Sequence, residues 1–187
     1  MLDGFPVKTC RYARGGIAKS FKVKAWFCYC ASQKEKYFGF KGHLLITEQG
    51  FIVNYSMTPA NSCEREASFE ILEGYSGQCL RYKGYLREDY WDLLDQMEVF
   101  MKTPLSSNMK DNPLRETTKD ERDKRRLIEM VIGQLGDRFN LSKMRARTKL
   151  YFTGKVARKI LSHTIFALRA FQLGYSPTQL NQVIPIL

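Results

Sequence analysis

Histidine is nearly absent from this chain, with two in 187 residues, which leaves little room for imidazole chemistry. His163 sits in an apolar helical stretch and reads as a core histidine with its hydrogen bonds met. His43 lies in a strand, where packing and a place in a cleft fit equally, and neither is chosen as a catalytic base. The five cysteines (Cys10, Cys28, Cys30, Cys63, Cys79) are odd in number and form no pair of Cys-x-x-Cys knuckles. That spacing argues against a structural zinc site or a disulfide framework and for buried, reduced thiols in a cytoplasmic protein. No apolar run reaches the length of a membrane span, and Met1 and Leu2 leave no room for a signal peptide before Asp3, so no membrane partner is expected. Internal repeats and low-complexity tracts are missing too.

Acid is scarce at both ends. From Arg138 to Leu187 there is no carboxylate, while Arg138, Lys143, Arg145, Arg147, Lys149, Lys155, Arg158, Lys159 and Arg169 are basic. Asp3 is the only acid before Glu35 and is followed by Lys8, Arg11, Arg14, Lys19, Lys22 and Lys24. An isolated acid in basic territory is a candidate metal ligand; the plainer reading is a solvated basic face with an incidental Asp. The net charge of +11 points to a polyanionic partner, since a basic surface gains affinity by releasing counterions from phosphates. With 44% hydrophobic residues, the chain suits one globular domain with a real core.

Aromatic and β-branched residues mark strands at Val23 to Phe27 and Tyr37 to Thr47. Glu48-Gln49-Gly50 is the turn of a hairpin returning through Phe51 to Tyr55. Ser62 is placed to cap a helix ending near Gly74, with Glu64 and Glu66 in its first turn. A strand follows through Gln78 to Tyr82 with a turn at Gly84, then a helix from Glu88 to Met97 and a short strand from Glu98 to Met101. Residues 1–101 thus form a strand-rich core, and Pro104 and Pro113 make 102–118 a loop. Residues 119–187 are helical and basic. One helix runs from Lys119 to about Leu135 with Leu127, Ile128, Val131, Ile132 and Leu135 on a face. A second runs from about Lys155 to Leu173, with Val156, Ile160, Leu161, Ile165, Leu168 and Phe171 at helical spacing. Strands first and helices later, packed on one sheet, give an α/β fold with a mixed sheet flanked by helices.

Three stretches carry a family pattern: Tyr37 to Asn61, Lys83-Gly84-Tyr85, and the helix around Arg125, Arg126 and Glu129. Asp3-Gly4-Phe5-Pro6-Val7, Cys10 to Arg14, Phe27 to Lys36, Gly39-Phe40-Lys41-Gly42-His43 and Thr58-Pro59-Ala60-Asn61 continue it. So do Thr103-Pro104-Leu105, Asn108-Met109-Lys110, Gly133-Gln134-Leu135 and Arg138-Phe139. In this order, from Asp3 to Phe139, the chain resembles the DDE transposases of bacterial insertion sequences.

The resemblance implies a ribonuclease-H-like fold and a carboxylate triad that holds two divalent ions, magnesium by preference. Such ions sit roughly 3.5–4 Å apart, one activating the attacking water and the other stabilising the leaving oxygen. Asp3, at the end of the first strand, and Glu129, on the late helix, are two of the implied ligands. The plain alternative for Glu129 is a helix carboxylate paired with Arg125 or Arg126. The middle Asp of the family's Asp-Lys-Gly-Tyr motif falls on Tyr82. A phenol titrates near ~10 and offers one neutral oxygen, so the two-ion site is expected to be incomplete and this copy impaired. Asp89, Asp92 and Asp95 leave from a different element and are not taken as substitutes.

Lys83, Arg125, Arg126, Arg145 and Arg147 are the implied contacts to double-stranded DNA, both element ends and target, with a homo-oligomer on the DNA as a further expectation. Only Met1 and Leu2 precede Asp3, so the chain is expected to be an amino-terminally truncated copy, lacking half a strand and the usual DNA-recognising module. The rival reading is a non-catalytic, basic nucleic-acid-binding remnant.

Overall fold

A single long strand organises the sheet. The computed structural model describes residues 1–21, 24–81, 88–104, 116–144 and 146–183. The aromatic and β-branched run around Phe38 to Ile46 becomes β3 (Glu35–Ile46). Along one edge it pairs antiparallel with β1 (Leu2–Cys10), from Leu2 opposite Leu45 to Cys10 opposite Phe38, with an irregularity between Lys8 and Cys10. Its other edge is divided. β2 (Trp26–Cys30) covers the first part, Glu35 to Gly39, and β4 (Ile52–Pro59) the second, Phe40 to Ile46. The turn between β3 and β4 falls on Glu48-Gln49-Gly50, where Gly50 takes a φ of +97° that an L side chain rarely adopts.

After α1 (Glu64–Leu72), the short strands β5 (Gly77–Leu80) and β6 (Val99–Lys102) pair in parallel, with α2 (Glu88–Gln96) between them in sequence. A parallel bridge between Leu2 and Arg81 joins this pair to β1. The strand order is therefore β2 and β4 sharing one edge of β3, then β3, β1, β5 and β6, antiparallel on one side of β1 and parallel on the other.

Both faces of the sheet are covered. Side chains alternate along a strand, so Phe5 and Val7 of β1 and Phe40 and Leu44 of β3 point one way. They meet Ile128, Val131 and Leu135 of α4 (Arg125–Asp137) and Phe152, Val156 and Ile160 of α5 (Lys149–Gln172). Leu2 and Leu45 point the other way, toward Ile71, Leu72, Tyr90 and Leu94 of α1 and α2. Phe21, Phe40 and Phe152 form a triangle of ring contacts, with centroids 5.5 to 6.1 Å apart, at the centre of the first core.

Several sequence expectations move. Strand β2 lies later than Val23 to Phe27. Cys63, not Ser62, is the residue before α1, and it makes no side-chain cap. The charged helix is two: α3 (Lys119–Asp123), opened by a reciprocal Thr118–Glu121 capping box, gives way at Lys124 to α4. Helix α5 starts at Lys149, capped by the Thr148 side chain, so Gly154 lies inside the helix instead of before it. Its buried face is Phe152, Val156, Ile160, His163, Ala167 and Ala170. Of the apolar residues read at helical spacing, Val156 and Ile160 are buried and Leu161, Ile165, Leu168 and Phe171 are exposed. The loop expected at 102–118 begins and ends in a bridge between Thr103 and Glu116; residues 105–115 lie outside the described part.

Candidate functional site

Asp3 sits at the start of β1, not its end, because the strand continues to Cys10. Its cross-strand partner is Leu44, a residue of the core beneath α4 and α5, so the Asp3 side chain lies on that face of the sheet. The carboxylate is half-buried and accepts the Gly4 amide at 2.8 Å. His43 stands opposite Gly4 and therefore on the other face; it is buried, with Nε2 3.1 Å from Thr58 Oγ1. Its place is in the packing beneath α1, away from Asp3.

The parallel bridge brings Arg81 beside Leu2. Arg81 is buried, and its guanidinium donates to Ser68 Oγ and Tyr90 Oη, both at 3.2 Å. The end of β5 is thus pinned to α1 and α2 at the residue just before Tyr82. Tyr82, Lys83 and the rest of the Lys83-Gly84-Tyr85 motif lie outside the described residues, as does Arg145.

Glu129 is positioned from the other direction. At the head of α3, Glu121 joins three elements: it accepts the Thr118 amide at 2.8 Å, Lys102 Nζ of β6 at 2.9 Å and Gln78 Nε2 of β5 at 2.6 Å. Desolvation alone would raise its pKa, but these bonds and the Lys102 charge overcome it and hold the carboxyl down to about 2. From that anchor α4 descends over the sheet. Burial of Ile128 and Val131 turns Glu129 to the rim, 53% exposed, where Oε1 is 2.8 Å from Arg125 Nε. Arg126 is exposed on the same turn.

Asp3 and Glu129 therefore belong to one side of the sheet, each on an element of the same core. They do not by themselves make a metal site. Among the described residues no three His, Cys, Asp or Glu side chains converge as ion ligands, and Glu129 is engaged by Arg125. Two carboxylates also cannot neutralise two divalent cations, so this donor set does not fit a two-ion centre.

A model of the transposase DDE domain matches residues 1–149. The chain belongs to that family. No curated protein and no solved structure gives a match. The match to the DDE domain stops as α5 begins, which leaves the longest helix outside it.

On α5, beyond the matched residues, His163 is fully buried with Nε2 2.9 Å from Gln134 Oε1, and burial lowers its pKa to about 4. It is a neutral core histidine as expected, but only half satisfied, because its Nδ1 is buried without a hydrogen-bond partner among the described residues. Among the described residues no helix is long and apolar enough to cross a membrane. Arg147 is exposed at the mouth of a large cleft shared with Arg11, Arg14, Lys19 and Lys36. Those four were not singled out as ligand contacts from sequence. The signal was the acid-free run after Asp3, and the fold was needed to bring it against Ser142, Met144, Ala146 and Arg147. Arg81 was missed as well; its burial depends on partners 9 and 13 residues away.

Proposed function

We propose that this DDE domain, one unit spanning 1–187, has the ribonuclease-H-like fold and derives from the transposase of an insertion element, acting on duplex DNA in the cytoplasm. In that role the protein would cut at element ends and join them to target DNA. Asp3 and Glu129 would supply carboxylates to divalent metal, magnesium by preference, and Tyr82 stands where the middle carboxylate is required. Lys83, Arg125, Arg126, Arg145 and Arg147 would meet DNA phosphates. The observation that carries the reading is the register. Leu2 and Arg81 are bridged in parallel, which brings the end of β5, the strand that leads in sequence toward Tyr82, beside the start of β1 where Asp3 lies. The helix bearing Glu129 packs over the face on which Asp3 lies. A phenol in the middle position makes this copy catalytically impaired.

The experiment pairs loss with gain. The parent protein is expected to show no magnesium- or manganese-dependent nicking of supercoiled DNA and no heat of manganese binding. Tyr82→Asp is expected to bind manganese, and Asp3→Ala in that background to lose it. Nicking by the parent that disappears in Glu129→Ala would refute the impairment. A folded Tyr82→Asp protein that binds no manganese would refute the assignment of position 82.

The non-catalytic reading, a protein that only binds nucleic acid, is favoured by the number of cations outside the carboxylate site. It predicts the same DNA affinity without any metal response in Tyr82→Asp.

We also propose a homo-oligomer, with α5 as its contact. Its outer stripe is Gly154, Ala157, Leu161, Ile165 and Leu168, with Leu161 58% and Ile165 56% exposed. Packed antiparallel about a two-fold axis at Leu161, two copies would set Gly154 against Leu168 and Ala157 against Ile165. Small residues then meet large ones, as an isologous contact requires. Arg158 would face Thr164, so the cations of the two helices do not oppose. Sedimentation is expected to show a dimer that Leu161→Glu converts to monomer; identical sedimentation of the two proteins would exclude this interface.

A further inference from the structure

The cleft beside Arg147 has a construction of its own. It encloses about 1320 Å³, more than the ~300–1,000 Å³ typical of small-molecule pockets, and is open to solvent along its length. One wall is the far end of β1 and the 3₁₀ turn Tyr12–Ile17, and the other is formed by Ser142, Met144, Ala146 and Arg147. Lys8, which also lines it, is five residues along β1 from Asp3, a distance of roughly 17 Å at the rise of a strand. The cleft is therefore separate from the carboxylates.

Five cations stand at its edge: Arg11, Arg14, Lys19, Lys36 and Arg147. None of the five has a carboxylate partner among the described residues. The single acid in the lining, Glu35, is engaged in an ion pair with Lys8. Between the cations the walls are apolar, formed by Ile17, Phe21 and Met144. Tyr12 projects into this space 46% exposed, its ring held edge-on against Phe27 with centroids 5.3 Å apart. Phe27 rests in turn on Phe38 of the core at 4.8 Å, so Tyr12 is the outermost member of a stack of rings anchored in the sheet.

A duplex presents phosphates, sugars and base edges to such a cleft but keeps its base faces stacked, so it would satisfy the cations and leave Tyr12 with no base to stack on. An unpaired strand presents phosphates and base faces together. Cations that track a backbone, with an aromatic ring on which a base stacks, are the two elements by which proteins hold single strands without reading sequence. We infer that this cleft is a binding site for an unpaired stretch of DNA, with phosphates on the arginine and lysine edge and one base stacked on Tyr12. The inference rests on the reading of the chain as a DNA-handling DDE domain and adds a second ligand site to it, apart from the carboxylates and sharing Arg147 with the duplex contacts.

The test compares three fluorescent probes by anisotropy in EDTA: an oligothymidylate, the same strand without bases, and a blunt duplex of equal length. The full chain is expected to bind oligothymidylate more tightly than the abasic strand. Tyr12→Leu, which still covers Phe27, is expected to weaken oligothymidylate binding about 5- to 150-fold, the range one base–aromatic stack supplies, and to leave duplex binding unchanged. Arg11→Gln with Arg14→Gln is expected to lower the salt slope for the single strand by about 1.4, or ~0.7 for each phosphate that no longer meets a cation. Equal affinity for the abasic and thymidylate strands, or a Tyr12→Leu protein that binds as the parent does, overturns the proposal. Duplex affinity is read in the same plates. If the duplex fails to bind while the strand does so through Tyr12, it is the transposase reading that falls and the cleft assignment that stands.

Discussion

Raising salt from 50 to 200 mM is expected to cost this protein about a thousandfold in affinity for duplex DNA, and EDTA is expected to change nothing. Six exposed cations, Arg126, Arg138, Arg147, Lys149, Arg158 and Arg169, have no carboxylate partner among the described residues. From Arg138 onward the sequence offers none. Each contact to a duplex phosphate releases about 0.9 of a counterion, and six such contacts give a drop of roughly 10³ across that range of salt. Not every cation counts: Lys159 is bonded to the Phe139 carbonyl, and burial lowers its pKa, so it serves the fold. Anisotropy titrations at four salt concentrations decide the matter. A slope shallower than about two contacts would mean that the basic surface does not face DNA, and loss of binding in chelator would move the affinity to the carboxylate site.

The sheet was largely legible because its signals are local. The hairpin about Gly50 and the two short strands that flank α2 in sequence follow from alternation and turn residues. Helix α5 was harder. Its apolar residues run nearly all the way round, so spacing alone could not tell Val156 and Ile160, which meet the sheet, from Leu161 and Ile165, which do not. Its start was hidden by Gly154, an unfavourable residue that the Thr148 cap and the burial of Phe152 outweigh. At the site, the family pattern singled out Asp3 and Glu129, and the structure puts both on one side of the sheet without bringing three ligands together. The cleft was not legible as a site. Arg11, Arg14 and Lys36 are an ordinary basic scatter until β3 pairs with β1 and Ser142, Met144, Ala146 and Arg147 close the opposite wall.

Gly39→Ala is expected to abolish folding, whereas Gly133→Ala is expected to stabilise the protein. Gly39 lies in β3 where β1 and β2 both pair with it, opposite Lys8 and Trp26. A Cβ built there would stand 2.2 Å from the Val7 carbonyl oxygen and 3.1 Å from the Lys8 Cα. Those are backbone atoms of the neighbouring strand and cannot swing aside as a side chain would. Relief requires parting β1 from β3, which would strip Asp3 of its frame and expose Phe5 and Val7. Steric insertions into packed interiors cost ~1–3 kcal/mol when side chains can yield, and this one has no such outlet, against a total stability of about 5–15 kcal/mol. Gly42 is the milder case, since its Cβ would meet the Phe5 ring at 2.5 Å and a ring can shift. Gly133, exposed on α4 with nothing within 4 Å of a Cβ, carries only the entropic penalty of glycine in a helix, so alanine should add about 0.5–1 kcal/mol. Thermal melts monitored by circular dichroism would order the proteins as Gly133→Ala above parent above Gly42→Ala, with no cooperative transition for Gly39→Ala. A Gly39→Ala protein that melts like the parent would mean that β1 does not pair with β3 in this register. The placement of Asp3 opposite Leu44, and with it the candidate site, would have to be withdrawn.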